Sequence, residues 1–508
     1  MSTIRDAQAS KSLKADTLAD SVIILLALTA VQRVVGFGRA MLFCRWMDAQ
    51  TLGQWDMAFS FLLLAAPLSV LSLSSSFRRY VEYYRERLQL RMLLRRTAAF
   101  YCLAAALSAS VLWSGRGWVS QLVFGSPEHA RLVAVLAVGL LAVLGYHFFI
   151  DLLTSLRKVR LISSLQLLQS VTFAVLGIAF VAGGGNAAGV VAAYALASGL
   201  VAAVAIVWLL RSWPDLPQQG APPSQRDLWA KLMPFAAGVW MTSILGNLFE
   251  VADRYMIVHF SPVGSEEALA LVGQYHSSRL VPLLLVSVAA MLGTVITPHL
   301  SHDWEQGRRR QVCKRLNLYM KLACYAMSLA AVVVLFAAPL VFGVAFEGKF
   351  PGGLAVLPWT LTYCIWFGMI AIAQNYLWCA EKTRLASVAL LVGLAANVGL
   401  NLLLLPRLGL LGAVMATTAA NMVALALVLA FNYRLGFRID RGTWVALALP
   451  PLVVLGPWTA LVLLVAVAFE AILRDRLLST EEKQQLADGL LAYRQRLRSL
   501  RPGLDSAG

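Results

Sequence analysis

The feature that most restricts what this chain can become is its recurrence of long apolar runs. Thirteen fall near residues 20–44, 55–76, 97–113, 131–150, 161–182, 187–210, 233–258, 267–298, 317–342, 353–379, 385–405, 408–431 and 442–473. A helix needs about 20 apolar residues to cross the hydrocarbon core of a bilayer, and most of these runs reach that length. The segments between them are too short to hold a soluble domain. Composition agrees: 59% of the 508 residues are hydrophobic and 14% charged, against about half and a quarter in soluble chains. A soluble enzyme, a disordered scaffold and a secreted disulfide module are excluded. The expected fold class is an all-α polytopic membrane protein.

The net charge is +17, from 43 basic and 26 acidic residues. In a soluble protein this would suggest nucleic acid, but in a membrane protein cytoplasmic loops collect Lys and Arg. No nucleic-acid partner is expected. The same bias settles how the last run is read. Pro450, Pro451 and Gly456-Pro457 interrupt it, so it forms either one kinked helix or a tight hairpin. With the N-terminus inside, a hairpin leaves 33 basic residues inside and 5 outside. A single helix would put the basic C-terminal tail outside. The positive-inside rule therefore predicts about fourteen transmembrane helices with both termini cytoplasmic. The polar N-terminus has no signal-peptide cleavage pattern, so the first run reads as an uncleaved anchor.

Residues 211–231 (RSWPDLPQQGAPPSQRDLWAK) form a Pro/Gly/Gln-rich stretch near the middle of the chain, as a linker between halves would. An internal repeat supports that division. RAML (39–42) and then LGQW (52–55) precede a Leu-rich run containing Pro67; RYMI (254–257) and then VGQY (272–275) precede one containing Pro282. GVVAAYALASGL from Gly189 echoes GAVMATTAANMV from Gly412, and the three offsets are 215, 220 and 223. Six spans per repeat is an even number, so both copies insert with the same orientation, around a pseudo-two-fold axis along the membrane normal. The expected organisation is an N-terminal six-helix lobe (1–210), a cytoplasmic linker (211–231), a C-terminal six-helix lobe (232–435), two additional transmembrane helices (436–474) and a cytoplasmic basic tail (475–508). The two bundles would enclose a central cavity. The tail opens on a capping-box pattern, Ser479-Thr480-Glu481-Glu482, followed by Leu486, Leu490, Leu497 and Leu500 among arginines, which suits an amphipathic helix lying on membrane lipids. The basic loop 77–96 reads as a solvated face.

Enzymatic chemistry finds little support. The sequence has no HExxH, GxSxG, P-loop or paired-carboxylate signature, and the longest outer loop offers only Glu128 and His129 as acid–base groups. Six histidines never cluster at metal spacing and six cysteines form no CxxC pair, so no metal or cofactor is expected. The informative residues are charges inside the apolar runs, where an ionisable group costs about 2.5–3.5 kcal/mol and so lines a cavity or has a partner. Arg33 and Arg39 lie six residues apart, on a broad common face and about 9 Å apart along the axis. Arg279 lies well inside the eighth run. Glu250 could neutralise Arg254 at i,i+4, and Asp56 and Glu470, near run ends, could snorkel. No carboxylate in the same span neutralises Arg33, Arg39 or Arg279. A cavity with surplus guanidinium selects anions and grips phosphate oxygens bidentately, whereas a carrier of organic cations would want surplus carboxylate.

At these residues the chain resembles a known group. QRVVGFGRAMLFCRWM (32–47) followed by LGQWDMAF (52–59) is similar to the first-span signature of the multidrug/oligosaccharidyl-lipid/polysaccharide (MOP) exporter superfamily. RVVGFGR resembles the peptidoglycan-precursor (MviN-like) flippases. On that resemblance Arg33 and Arg39 match two of the family's cavity arginines, and SSRLVPLLLVSVAAMLGTVITPHLS (277–301) places Arg279 on a third. ADRYMIV (252–258) and NVGLNLLLLPRLGLLGAVMATT (397–418) resemble Wzx-type polysaccharide flippases, including Asn397, Asn401, Pro406 and Gly412. The resemblance runs from about residue 20 to 435. One departure is clear. Peptidoglycan-precursor flippases carry a further arginine and an acidic-Gly pair near the end of the second span, where this chain has LSLSSSF (71–77). That turns the expectation from lipid II toward another lipid-linked glycan.

The resemblance implies a flippase in a bacterial cytoplasmic membrane. It would move a polyprenyl-diphosphate-linked oligosaccharide, a cell-surface polysaccharide precursor, from the inner to the outer leaflet by alternating access. Arg33, Arg39 and Arg279 would hold the diphosphate; Glu250 or Asp253 would couple an ion. The polysaccharide synthesis machinery is an expected partner. The alternatives are a cation-coupled drug or organic-cation antiporter of the same architecture, and a lipid II flippase.

Overall fold

A computed structural model describes residues 18–216, 224–474 and 477–484. Only helices, turns and short connections occur among them. This is the outcome hydrocarbon imposes, because a segment crossing it must satisfy its own backbone N–H and C=O groups. The helices are α1 (Leu18–Trp46), α2 (Ala49–Val70), α3 (Phe77–Glu86), α4 (Leu90–Ser114), α5 (Arg116–Phe124), α6 (Ala130–Ser155), α7 (Val159–Ala182), α8 (Ala187–Ser212) and α9 (Gln225–Phe260). They continue as α10 (Ser265–Arg279), α11 (Pro282–Glu305), α12 (Arg309–Leu340), α13 (Pro351–Ala373), α14 (Asn375–Cys379), α15 (Thr383–Arg434), α16 (Arg441–Leu447) and α17 (Pro457–Leu473). Ten described helices are long and apolar enough to cross a membrane, or eleven if the bent pair of α2 and Leu73–Glu86 is one span. The chain is an all-α, multi-span membrane protein.

Several boundaries follow local chemistry. Asp48, Asn186, Ser224 and Asp440 cap α2, α8, α9 and α16 by accepting from backbone N–H groups three residues on. The basic segment 77–96 contains α3, which buries Phe77, Tyr80, Val81 and Tyr84 and leaves Arg78 and Arg79 outward. The 52-residue α15 is not one straight rod. Gly409 (φ 56°, ψ −138°) breaks it three residues after Pro406, and Asn397 Nδ2 lies 3.3 Å from Thr417 Oγ1. Twenty residues of straight helix would separate them by about 30 Å, so the chain reverses at Gly409. Residues 217–223 of the expected linker, and the expected tail helix beyond residue 484, lie outside the described residues.

Close packing divides the chain into two compact units: residues 1–280, 340–356 and 393–417, and residues 281–339, 357–392 and 418–508. In the first, α2 and α10 meet backbone to backbone. A Cβ on Gly53 would stand 1.8 Å from the Leu269 carbonyl oxygen, and one on Gly273 would stand 1.8 Å from that of Ala49. The two contacts are reciprocal, each glycine touching the residue four before the other. Gly53 and Gly273 are also the matching glycines of LGQW and VGQY. A two-fold relation between repeats would place them this way.

In the second unit the segment after Asp440 runs out along α12 and returns. Thr443 Oγ1 donates to Asn317 Oδ1 at 2.8 Å and Cys324 Sγ contacts the Ala446 carbonyl at 3.0 Å. Trp458 packs edge-on to Phe336 with ring centroids 4.7 Å apart. Beyond Gly456 (φ 101°) the chain turns back, and Tyr325 Oη donates to the Leu464 carbonyl at 3.2 Å. Val332, Leu449, Ala460 and Leu464 form the apolar seam of this hairpin.

Adding one methyl group at the crossing of α2 and α10 must push backbone from backbone. Gly53→Ala and Gly273→Ala are each expected to cost about 1–3 kcal/mol by overpacking, read as a lower melting temperature of the detergent-solubilised protein. Gly36→Ala, whose Cβ would meet nothing within 4 Å, is the control expected to melt like wild type.

Candidate functional site

The first unit holds all five residues singled out from the sequence, and its polar groups fall into three clusters. The first lies beside the crossing of α2 and α10. Asp56, on α2, is 2% exposed. Its Oδ2 lies 2.9 Å from Arg254 Nε and its Oδ1 2.9 Å from His276 Nδ1. Arg254 also donates through Nη1 to Ser60 Oγ. The sequence pointed Arg254 at Glu250, one turn away on its own helix. The structure pairs it instead with a carboxylate from α2, because the glycine crossing brings α2 within reach of α9 and α10.

The second cluster surrounds Asp253. Its Oδ1 accepts from Asn397 Nδ2 at 2.7 Å, and Asn401 Nδ2 is 3.5 Å away. Its Oδ2 accepts from Tyr275 Oη at 3.0 Å. Asn401 Nδ2 donates to Asn397 Oδ1 at 3.1 Å, tying the amides together. Helical spacing puts Asn397 and Asn401 on one face, and the reversal at Gly409 returns Thr417 to the same place. The Asn397, Asn401 and Tyr275 groups around this carboxylate are neutral. The Arg279 guanidinium acts on it electrostatically. Arg279 is buried at the end of α10, 5.2 Å from the Tyr275 ring centroid, with Nη2 3.9 Å from Glu250 Oε1. Glu250 itself is exposed. The neutralising carboxylate absent from Arg279's own span thus comes from α9.

The third cluster belongs to α1, α2, α7 and α8. The Arg39 guanidinium stands over the Phe173 ring at 4.0 Å and 5.9 Å from that of Phe43. It makes no ion pair among the described residues, so aromatic faces are its counterpart. Phe173 packs on Tyr194 (5.1 Å), and Tyr194 on Phe59 (5.7 Å). Phe59 and Tyr194 in turn wall a cavity of about 380 Å³. Its polar lining includes Ser72, Ser74, His147, Asp151 and Asn247. Two local features open it. Pro67 cannot donate to the Leu63 carbonyl four residues back, and Asn247 Nδ2 supplies that bond at 2.8 Å. At Leu71 and Ser72 the backbone turns left-handed (φ 50° and 49°), bending the helix by 64°. Ser74 Oγ then donates to Asp151 Oδ2 at 2.6 Å. The seryl segment where the sequence departs from peptidoglycan-precursor flippases is therefore a cavity wall. Arg33, on α1, is exposed and makes no ion pair among the described residues. Arg279 belongs to the Asp253 cluster, whereas Arg33 and Arg39 lie on α1.

Residues 18–304, more than half of the chain, match a family profile described as polysaccharide biosynthesis protein. The chain belongs to this family. A sequence search of curated proteins finds no match. Among solved structures the lipid II flippase MurJ in an inward closed conformation has a TM-score of 0.70 at 13% identity, over 89% of this chain and 100% of that one. An inward-facing multidrug resistance MATE family transporter of the MOP superfamily gives 0.63 at 14%, over 81% and 98%. The Vibrio cholerae MATE transporter VcmN gives 0.57 at 14%, over 84% and 97%. At such identities the likeness concerns the fold, which is that of the MOP exporters, as the sequence resemblance implied.

Within this polysaccharide biosynthesis family member, sequence reasoning overlooked Tyr275, Thr417, Asn247 and His276. Thr417 and Tyr275 had a signal, through the echo of GVVAAYALASGL in GAVMATTAANMV and of LGQW in VGQY. Asp56→Asn is expected to destabilise the protein by about 3–5 kcal/mol, because it strands a buried guanidinium. Arg254→Gln added to it should recover part of that loss. Thermal unfolding of the two single variants and the double variant checks this; additive losses would show that the two side chains do not interact.

Proposed function

We propose that this protein is a flippase. It carries a polyprenyl-diphosphate-linked oligosaccharide from the inner to the outer leaflet of a bacterial cytoplasmic membrane. The observation that carries the reading is the cavity beside Arg39. Sugar hydroxyls stripped of water need replacement partners, and hydroxyl, amide, imidazole and carboxylate groups line that cavity between two aromatic walls. The polyprenyl tail would stay in lipid while the cavity shelters the sugar.

Arg39 and Arg279 are the diphosphate ligands in this reading, with Arg33 as the exposed first contact on the same helix as Arg39. A guanidinium held by ring faces keeps its N–H edge available for phosphate oxygens. For alternating access, the Asp56–Arg254–His276 cluster and the glycine crossing act as a gate that must part. Asp253 is the coupling group, since a buried carboxylate among neutral donors can take a proton or a small monovalent cation. Glu250, exposed and facing Arg279, serves to balance that arginine. The membrane potential adds about 2.3 kcal/mol per charge per 100 mV to outward movement of an anion. A lipid II cargo is disfavoured by the seryl segment 71–77.

Cells lacking the protein are expected to accumulate lipid-linked oligosaccharide on the cytoplasmic face. Wild type should clear it, while Arg39→Ala and Arg279→Ala should fail by about tenfold or more, a loss of at least 1.4 kcal/mol. Asp253→Asn should remove the dependence on the ion gradient. If no accumulation occurs, and the protein instead exports a fluorescent cation that Asp253→Asn abolishes, the organic-cation antiporter replaces this reading. If the arginine variants clear the intermediate like wild type, the diphosphate site lies elsewhere.

A further inference from the structure

The second unit contains a basic cavity with no part in the reading above. It measures about 760 Å³ and lies at the N-terminal end of α12, between that helix, the connection 436–442 and the described start of the C-terminal tail. Seven basic side chains line it against three carboxylates, Asp440, Glu481 and Glu482. Arg438 and Arg441 face it with no ion pair among the described residues. Its floor is Lys321, a charge only 5% exposed and within an apolar helix.

The tail supplies much of the compensation for that charge. Lys321 Nζ donates to Glu482 at 2.6 and 2.8 Å, to Asp440 at 2.9 Å and to the Leu477 carbonyl at 3.3 Å. Lys314 pairs with Glu481. The tail backbone sits hard against Gly442, where a Cβ would stand 2.0 Å from the Leu477 carbonyl oxygen. Glu482 is fixed in place as the capping partner of the Ser479 N–H at 2.8 Å.

A second feature adjoins this cavity. An apolar cleft of about 90 Å³ shares Lys321, Gly442 and Leu477 with it and continues along Tyr325, Val445, Leu449 and Val467. Leu477 and Leu478 of the tail close one side. A cationic cavity that opens into an apolar cleft matches an amphiphile with an anionic head. The tail presents the same pattern, carboxylates in the basic cavity and leucines against the cleft.

We propose that this composite is a binding site for an anionic phospholipid, with the headgroup phosphate against Lys321, Arg438 and Arg441 and the first few methylenes of an acyl chain in the cleft, and that residues 477–482 are its built-in competitor. Displacing the tail would move Glu481 and Glu482 out and seat phosphate oxygens on Lys321 in their place, so the buried ammonium is never left alone. The proposal does not depend on what the protein transports. It ties the position of the tail to the charge of the surrounding lipid.

The test uses the full chain purified in neutral detergent and native mass spectrometry. It is titrated with phosphatidylglycerol, with phosphatidylcholine of the same acyl chains, and with soluble glycerol 3-phosphate. Phosphatidylglycerol is expected to bind about tenfold tighter than either. Glu481→Gln with Glu482→Gln should tighten its binding severalfold. Arg438→Gln with Arg441→Gln should weaken it about tenfold. Val445→Trp, which fills the cleft from a partly exposed position, should weaken phosphatidylglycerol and leave glycerol 3-phosphate unchanged. Equal binding of the two lipids, or no response to the arginine pair, overturns the site. Binding of glycerol 3-phosphate as tight as that of phosphatidylglycerol removes the lipid and leaves a soluble phosphate ligand. No change on removing the two glutamates removes the competitor. None of these outcomes bears on leaflet transfer, so failure here is distinct from failure of the flippase reading.

Discussion

Two glycines allow α2 and α10 to touch backbone to backbone, and the polar chemistry of the first unit is arranged around that contact. In lipid, apolar side chains gain nothing by leaving one apolar surroundings for another, so helices associate through close packing and polar ties. Gly53 and Gly273 provide the first. The approach then places Asp56 against Arg254 and His276, which supplies the second. On the same helix as Gly273, Tyr275 reaches Asp253. A bulkier residue at either glycine would separate the helices and leave several buried ionisable groups without partners at once.

The buried charges are compensated in different ways, and the difference separates their uses. Arg254 has a carboxylate and a hydroxyl at contact distance, an arrangement suited to holding two helices together. Asp253 is held by amide and phenol donors, with the Arg279 guanidinium acting on it electrostatically, an arrangement unlike the carboxylate–guanidinium contact of Arg254. Arg39 has ring faces, which leave its N–H edge to a ligand. Lys321 depends on carboxylates from outside its own helix, two of its contacts going to Glu482. Each is an ionisable group in an apolar run, and the partner of each comes from tertiary structure.

Periodicity and punctuation made much of the fold legible. The runs of apolar residues appear as helices, Pro450, Pro451 and Gly456-Pro457 mark where the last run turns, and the repeated LGQW and VGQY carry the two crossing glycines. The residues of the candidate site were legible as exceptions, charges where charges are expensive. Their partners were not. Arg254 was matched to Glu250 because i,i+4 is the only neighbour a linear reading can see. Asp56 looked like a helix-end charge, since nothing in LGQWDMAF announces that a second helix lies a backbone's width away. Asn247 answers a carbonyl orphaned by Pro67, a need visible in the sequence whose remedy, 184 residues away along the chain, is not.

By itself, then, the sequence determined that the chain is a bundle of membrane helices, where many of them begin and end, and which charges lie within apolar runs, because hydrocarbon thickness and backbone hydrogen bonding act locally. Tertiary structure alone decided which charge meets which, that Ser72 and Ser74 face a cavity beside Asp151 and Tyr194, and that the tail lies over Lys321. Those outcomes depend on the distance between helices remote in sequence. That distance is set by the few positions, Gly53, Gly273 and Gly442 among them, where the absence of a side chain lets one backbone reach another.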